Sequence, residues 1–194
     1  MRIILASRSP ARRLLMKELN IPFECHTSDY EEDMNRFKTA PALSKFLALQ
    51  KALYIANKYP NAIIIGADTI GTIKKRIVGK PPTIKAATVL LQSMSGKKVK
   101  VHTGLATILT DKQGKIAQKI TSHTVTTLTF SKLTPQNIKD IIKEDDVLNV
   151  AGALTIEGES GKYVKTIQGD FQNVMGLPVF QLKEMLNKLG IKLN

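Results

Sequence analysis

The sequence has little cysteine, few aromatic side chains and few acidic ones, and each shortage narrows the class of protein. Its 194 residues include one cysteine, Cys25, so no disulfide can form within the chain. With no tryptophan and 5% aromatic residues, few bases of a single-stranded nucleic acid could stack on side chains. No apolar run approaches the ~20 residues of a membrane-spanning helix, and the apolar stretch after Met1 is too short for a secretory signal. We therefore expect a cytoplasmic protein without a membrane segment.

Acidic residues are outnumbered by basic ones, with 29 Lys and Arg against 16 Asp and Glu and a formal net charge of +13. This excess is compatible with nucleic-acid binding, with a solvated lysine surface, or with attraction of a small polyphosphate ligand. The sequence contains no helix-turn-helix, zinc-finger or RNP motif, and its lysines are scattered singly or in pairs. We expect no nucleic-acid partner, and a basic nucleic-acid-binding protein without catalysis is the alternative class.

Apolar residues recur at strand and helix spacing along the whole chain. The length suits one domain, residues 1–194, because chains usually divide only beyond ~250 residues. The patterns predict strands at 2–6, 23–33, 62–66, 98–110 and 115–130, a hairpin at 70–78, and helices at 10–20, 43–58, 83–94, 134–143 and 178–189. Because the last two strands form a long antiparallel hairpin, we expect an α/β fold with a mixed sheet.

The first candidate site is the segment LASRSPARR at residues 5–13. Ser9 followed by a proline is a strong helix start, and the free N–H groups of a helix N-terminus favour an anion. Arg12 and Arg13 in the first turn disfavour the helix unless an anion binds between them. The segment is neither a Walker A loop nor a GxGxxG fingerprint. It predicts either a phosphate site that includes Ser7 and Ser9, or a plain helix cap beside solvated arginines.

The second candidate is the segment IIIGADT, which places Asp68 just beyond the predicted strand 62–66. Open α/β sheets place ligand and metal groups at that end of a strand. Glu32, in an acidic loop, could supply a second carboxylate, and Mg²⁺ suits one or two carboxylates plus substrate phosphates. Lys80, in the turn VGKPP, and Lys51, on a predicted helix, are candidate phosphate contacts, although each alone also fits an ordinary surface position.

These motifs occur together, in order and with similar spacing, in one known family. The segments LASRSPARRLL, IIIGADT, VGKP, SGKKVKVHTGLATIL, AGALTIEG and GDFQNVMGLPV resemble the motifs of the Maf family of nucleotide pyrophosphatases. The resemblance covers nearly the whole chain. It implies the elongated α/β fold of the inosine triphosphate pyrophosphatases, a twisted mixed sheet with flanking helices and two lobes around a cleft. It also implies a homodimer.

The same resemblance implies an activity and a set of site residues. It implies hydrolysis of a nucleoside triphosphate to the monophosphate and pyrophosphate with a divalent metal, Mg²⁺ or Mn²⁺, in a house-cleaning role in nucleotide metabolism. By position, Asp68 is the catalytic carboxylate, as general base or metal ligand, and Glu32 assists with the metal. The residues that line the phosphate site are Ser7, Ser9, Arg12, Arg13, Lys51 and Lys80. A nucleotide sensor with the same fold is a second alternative.

Three positions that the family associates with substrate choice are Ala11, Thr69 and Glu157 in this sequence. Members that act on dTTP and UTP typically have Arg, Thr and Gln there, whereas members that act on 7-methyl-GTP typically have an aromatic residue first and Glu last. Thr69 therefore matches the first branch and Glu157 the second. A carboxylate accepts hydrogen bonds from the N1–H and N2–H₂ groups of guanine. We expect a guanine-type substrate such as 7-methyl-GTP, with dTTP or UTP as the alternative.

Overall fold

The computed structural model describes residues 1–191. The strands are β1 (Arg2–Leu5), β2 (Glu24–Cys25), β3 (Ala62–Ile73), β4 (Arg76–Val78), β5 (Lys98–Thr110), β6 (Ile116–Phe130) and β7 (Val164–Gln168). The helices are α1 (Pro10–Lys17), α2 (Ala40–Ala56), α3 (Ile84–Met94), α4 (Pro135–Glu144), α5 (Phe171–Met175) and α6 (Val179–Lys188). Short 3-10 turns lie at Ala151–Ala153 and Ser160–Tyr163.

The strands form one mixed sheet in the order β2-β1-β3-β5-β6-β7, with β4 beside β3. The pairs β1–β2 and β1–β3 are parallel, whereas β3–β4 and β6–β7 are antiparallel. The prediction of an α/β fold with a mixed sheet is therefore confirmed. Among the helices of residues 1–191, none is both long enough and apolar enough to cross a bilayer.

The chain forms two compact units. The first contains Met1–Asp68, Thr103–Thr124 and the residues from Gly176 onward, and the second contains Thr69–His102 and Val125–Met175. Strands β3, β5 and β6 each contribute residues to both units. The prediction of a single domain stays a prediction.

Each unit has its own apolar core. In the first unit, helix α2 packs on β1, β3 and β5 through a cluster that consists of Ile4, Ala6, Ala48, Ala52, Ile55, Ala56, Ala62, Ile64, Ala106 and Ile108. In the second unit, one cluster consists of Ile73, Met94, Val99, Val101, Leu128 and Phe130, and another of Ala87, Leu91, Ile138, Ile141, Val147 and Ala153. Alternate residues of the strands thus face a helix layer, as their hydropathy pattern predicts.

Two helices begin where a hydroxyl residue followed by proline predicted a start. The Ser9 side chain accepts a hydrogen bond from the Arg12 N–H at the start of α1. At the start of α4, Thr134 and Asn137 form a reciprocal capping box. Such caps satisfy N–H groups that have no partner within the helix.

Two predicted strands have the wrong length. The strand predicted at 62–66 and the first strand of the hairpin predicted at 70–78 form one strand, β3, which runs to Ile73 and pairs with β4 across a turn at Lys74 and Lys75. Both turn residues have positive φ, as a tight two-residue hairpin requires. The strand predicted at 23–33 is reduced to Glu24–Cys25, which pair with β1. The polar and acidic residues that follow it continue as a loop.

Candidate functional site

Asp68 lies inside β3 and not beyond its end, which corrects the prediction from sequence. It is 6% exposed, and the strand residues on either side of it, from Ala62 to Ile73, are nearly all buried. A carboxylate in such a place must be paired, because an isolated buried charge is costly. The groups around Asp68 therefore decide what it can do.

Glycines in the sheet bring helix α2 close to Asp68. A Cβ atom at Gly66 would lie 2.1 Å from the carbonyl oxygen of Ala48, and one at Gly104 would lie 2.2 Å from that of Ser44. These contacts hold one face of α2 directly against β3 and β5. Gly66 and Asp68 project to the same side of β3, because side chains alternate along a strand. Lys51, one turn after Ala48 on α2, consequently reaches Asp68.

One ammonium group joins two carboxylates in this unit. The Nζ atom of Lys51 lies 2.5 Å from Oδ1 of Asp68 and 2.7 Å from Oε1 of Glu32. The Lys51 and Asp68 side chains are 14% and 8% exposed, and that of Glu32 is 38% exposed. The structure thus brings together Asp68, Glu32 and Lys51, which the sequence proposed from three separate segments. Asp33, next to Glu32, instead accepts a hydrogen bond from the Asn35 N–H.

The guanidinium of Arg12 contacts one residue near the start of the chain and one near its C-terminal helix. Its Nε donates to the carbonyl oxygen of Gly176 at 2.8 Å, and its Nη1 lies 3.5 Å from the hydroxyl of Ser7. Ser7 also accepts from the Ser9 N–H. Ser7 and Ser9 therefore order the start of α1 and the guanidinium beside it. Arg13 is exposed on the same helix turn.

Burial and the neighbouring cations shift the pKa of Asp68 in opposite directions. Burial raises the pKa of Asp68 above its ordinary value, while the cations of Lys51 and Arg12 limit that rise. Burial also lowers the pKa of Arg12, against the attraction of Asp68 and Glu32, although a guanidinium keeps its charge in a protein. The carboxylate of Asp68 is thus a stronger proton acceptor than that of an exposed aspartate, with Lys51 and Arg12 as the cations that favour its charged form.

The carboxylates offer the donor set that a hard divalent cation uses. Asp68 and Glu32 each place an oxygen within 2.7 Å of a single cationic centre, the Nζ atom of Lys51. Within residues 1–191, no group of three or more His, Cys, Asp or Glu side chains could hold a metal ion. Two carboxylates fit Mg²⁺ or Mn²⁺ when water molecules complete the shell, and substrate phosphates can replace some of these waters. The residues therefore fit a divalent metal that keeps open positions for a phosphorylated substrate.

The second unit contains three of the proposed residues, namely Thr69, Lys80 and Glu157. Thr69 follows Asp68 on β3 and is half-buried. Lys80 is exposed in the segment after β4, where the preceding Gly79 carbonyl accepts from the Gly152 N–H at 2.9 Å. Ala11, the remaining specificity position, is half-buried in the first turn of α1 in the first unit.

Glu157, also in the second unit, is exposed at the edge of an acidic cavity of about 570 Å³. The cavity is lined by Asp140, Glu144, Asp145, Glu157, Gly158, Glu159 and Lys162. Asp145 ends helix α4, and its carboxylate accepts hydrogen bonds from the N–H groups of Glu159 and Ser160. It thereby shapes the loop that carries Glu157.

Sequence reasoning missed the carbonyl of Gly176, which orients Arg12. Gly176 has φ of 103°, a conformation that side chains disfavour. The only signal in the sequence is the GLPV segment, which matches a family motif without indicating a role for its glycine. A backbone acceptor leaves no residue type to recognise, so only the fold could identify it.

Comparison with known proteins identifies the family. The model of the Maf family, described as Maf-like protein, matches residues 2–189. The chain belongs to the Maf family. This family member is 38% identical to a dTTP/UTP pyrophosphatase of Bacillus cereus, over 98% of this chain and 96% of the relative. It is 37% identical to a dTTP/UTP pyrophosphatase of Bacillus anthracis, with the same coverage.

A solved structure of a HAM1 protein from Coxiella burnetii has a similar fold. The two match with a TM-score of 0.51 and 14% identity, over 97% of this Maf family member and 99% of the HAM1 chain. At this identity the likeness concerns the fold alone. It confirms the expected sheet with flanking helices.

Proposed function

We propose that this Maf family member is a metal-dependent nucleoside triphosphate pyrophosphatase that acts on dTTP and UTP. The observation that carries the proposal is the buried Asp68, which shares the Lys51 ammonium with Glu32 near Arg12. The pyrophosphatase class agrees with the names of relatives 37–38% identical over nearly the whole chain. The reaction adds water across the bond between the α- and β-phosphates and yields the nucleoside monophosphate and pyrophosphate.

Asp68 acts on the attacking water. Its carboxylate accepts a hydrogen bond from the water, orients it towards the α-phosphorus and takes up its proton. The water oxygen bonds to the α-phosphorus as the bond to the bridging oxygen breaks, and the electron pair leaves with pyrophosphate. Arg12, held by Gly176, supplies the positive charge of its guanidinium to the phosphates.

A divalent metal and the cations share the task of charge neutralisation. Asp68 and Glu32 would hold Mg²⁺ or Mn²⁺, which when bound supplies positive charge to the phosphate oxygens. Lys51 and Lys80 add positive charge for the triphosphate. Charge stabilisation of this kind is commonly the largest contribution to catalysis of phosphate chemistry.

The preference for a pyrimidine base is supported by two features. The relatives are named for dTTP and UTP, and Thr69 is the residue that the pyrimidine branch typically has. Glu157 favours the guanine-type substrate expected from sequence, and its side chain is exposed. We therefore place dTTP and UTP before 7-methyl-GTP.

A pyrophosphate-release screen tests the proposal. Purified protein is assayed with dTTP, UTP, 7-methyl-GTP and the common nucleoside triphosphates, each with Mg²⁺ and with Mn²⁺. We expect the highest kcat/KM with dTTP or UTP. A highest value with 7-methyl-GTP would reverse the base assignment, and no release from any nucleotide would contradict the function.

Asp68→Asn tests the catalytic carboxylate. It keeps the size of the side chain but removes the charge and the proton acceptor, so we expect kcat to fall by at least ~10²-fold. Asp146→Asn is the matched control, because Asp146 is exposed and accepts its hydrogen bonds from Asn149 of the same loop. Circular dichroism and thermal unfolding of both variants check that they fold. A full kcat in Asp68→Asn would remove this residue from the reaction.

A further inference from the structure

The Lys51 ammonium lies where the two candidate metal ligands meet. Its Nζ contacts Oδ1 of Asp68 at 2.5 Å and Oε1 of Glu32 at 2.7 Å, and its side chain is 14% exposed. Lys51 was assigned to the phosphates from sequence, yet both of these partners are carboxylates. The residue therefore has a role in this arrangement that phosphate binding does not describe.

The ion pairs of Lys51 offset the negative charge of two neighbouring carboxylates. Asp68 is buried, and Glu32 adds a second negative charge beside it. Without a cation the two carboxylates would repel, and Asp68 would be left uncompensated inside β3. The ammonium supplies one positive charge to both.

A divalent cation would need the same oxygens. Mg²⁺ binds carboxylate oxygens at ~2.0–2.1 Å, and a dication in that position would face the Lys51 ammonium within a few ångströms. Like charges at such distances repel strongly in a partly buried site. Lysine has a flexible four-carbon stem, so its ammonium can move while its Cα stays fixed on α2.

We propose that Lys51 is the resident counter-ion of Asp68 and Glu32, and that a divalent metal displaces its ammonium from them. The displaced ammonium is then available to the substrate phosphates. The inference rests on the proposed function only in the assignment of Asp68 and Glu32 as the metal ligands. Lys51 thus competes with the metal for the carboxylates before substrate binds, and it contacts the substrate phosphates afterwards.

Metal binding without nucleotide tests the inference. Mn²⁺ is titrated into the wild type and into Lys51→Met, and free Mn²⁺ is measured by electron paramagnetic resonance. We expect Lys51→Met to bind Mn²⁺ on the order of tenfold more tightly, because a like charge in contact with the site is gone. Lys45→Met, an exposed position on the same helix, removes the same net charge and should bind as the wild type does. Unchanged or weaker binding by Lys51→Met would overturn the inference, as would failure of both proteins to bind Mn²⁺.

A second measurement needs no variant and covers the case in which Lys51→Met does not fold. Lysines of the wild type are acetylated by a brief pulse of an activated acetate ester, with and without saturating Mn²⁺, and peptides are quantified by mass spectrometry. We expect Mn²⁺ to increase labelling of Lys51 several-fold while leaving Lys45 unchanged. Equal or slower labelling of Lys51 would overturn the inference. Neither assay uses hydrolysis, so an active enzyme with unchanged Lys51 labelling would refute the inference alone, and an inactive protein with displaced Lys51 would refute the activity alone.

Discussion

Asp68 is a charged side chain inside a strand, and its neighbours determine which substitutions the site tolerates. Removal of one partner from a buried ion pair typically costs ~3–5 kcal/mol, because the other charge is left unpaired. Loss of the Asp68 charge leaves Lys51 paired with Glu32, which is partly solvated. Loss of Lys51 leaves the buried Asp68 without its closest cation. Asn at position 68 is therefore the gentler probe of the site.

Glu157 is the residue at which this chain departs from the pyrimidine pattern. Glutamine can both donate and accept hydrogen bonds, which suits a uracil or thymine edge, whereas a carboxylate only accepts. We expect Glu157→Gln to raise kcat/KM for dTTP and UTP relative to 7-methyl-GTP by several-fold. Glu144→Gln, at the same acidic cavity, is the matched control and should leave the ratio unchanged. An identical ratio in Glu157→Gln and the wild type would exclude a contact between Glu157 and the base.

For individual residues, the sequence indicated which side chains are candidates for the site better than it indicated their contacts. Asp68, Glu32, Lys51 and Arg12 could be named because carboxylates and cations beside strand ends and helix starts suit phosphate chemistry. The contacts of Lys51 with both carboxylates could not be predicted. A lysine that binds carboxylates and a lysine that binds phosphate look the same in a sequence. Whether Lys80, Thr69 and Glu157 reach the substrate stays a prediction.

Helix α2 is the element that assembles the site, because it lies directly on β3. Its residues Ser44, Ala48 and Ala52 are small and fully buried. Gly66 faces Ala48 and Ala52, and Gly104 faces Ser44. This close approach sets the height of Lys51 above Asp68. The glycines therefore act on the site through the position of the helix and not through contacts of their own.

Gly66→Ala should both destabilise the protein and disturb the site. The added Cβ would meet the Ala48 carbonyl oxygen at 2.1 Å, and overpacking of this kind typically costs ~1–3 kcal/mol, occasionally more. Gly71→Ala on the same strand is the control, because there the Cβ would meet a side-chain methyl group of Val78 at 2.8 Å and not a helix carbonyl. Urea unfolding gives the two free energies, and the pyrophosphatase assay gives kcat. Equal losses of unfolding free energy and of kcat in the two variants would show that the contact between Gly66 and α2 has no special effect on the site.

Elements with strong local signals were predicted well, and those fixed by pairing were not. The starts of α1 and α4 follow from hydroxyl caps and prolines, and the β3–β4 turn follows from its position between β-formers. The sequence did not indicate that β3 continues through Asp68 into the hairpin, nor that β2 pairs with β1 over two residues only. Pairing is a relation between segments, so hydropathy within one segment does not reveal it.

For the whole molecule, the net charge of +13 is larger than the site requires. Of the 29 Lys and Arg residues, the proposed chemistry uses Lys51 and Arg12 in the first unit and Lys80 in the second. The acidic cavity around Glu157 also means that the excess is unevenly distributed. Arg13, exposed in the first turn of α1, stays a predicted phosphate contact. The other cations would act on a substrate at a distance, through the field of the molecule. The homodimer and the cytoplasmic location stay predictions.

That field should appear as a salt-dependent rate of substrate capture. A triphosphate is attracted by a strongly cationic protein, and exposed charges are screened beyond ~8 Å at physiological ionic strength. We expect kcat/KM to fall several-fold between low and physiological salt, while kcat at saturating substrate changes little, because the buried contacts of Asp68 are screened less. Potassium chloride is varied at fixed Mg²⁺, and binding of single-stranded RNA and DNA is measured over the same range. Tight oligonucleotide binding with a steep salt slope and no hydrolysis would instead favour the nucleic-acid-binding alternative. A kcat/KM that is independent of salt would mean that the surface cations take no part in capture, and that the positive charge relevant to catalysis lies in the site itself.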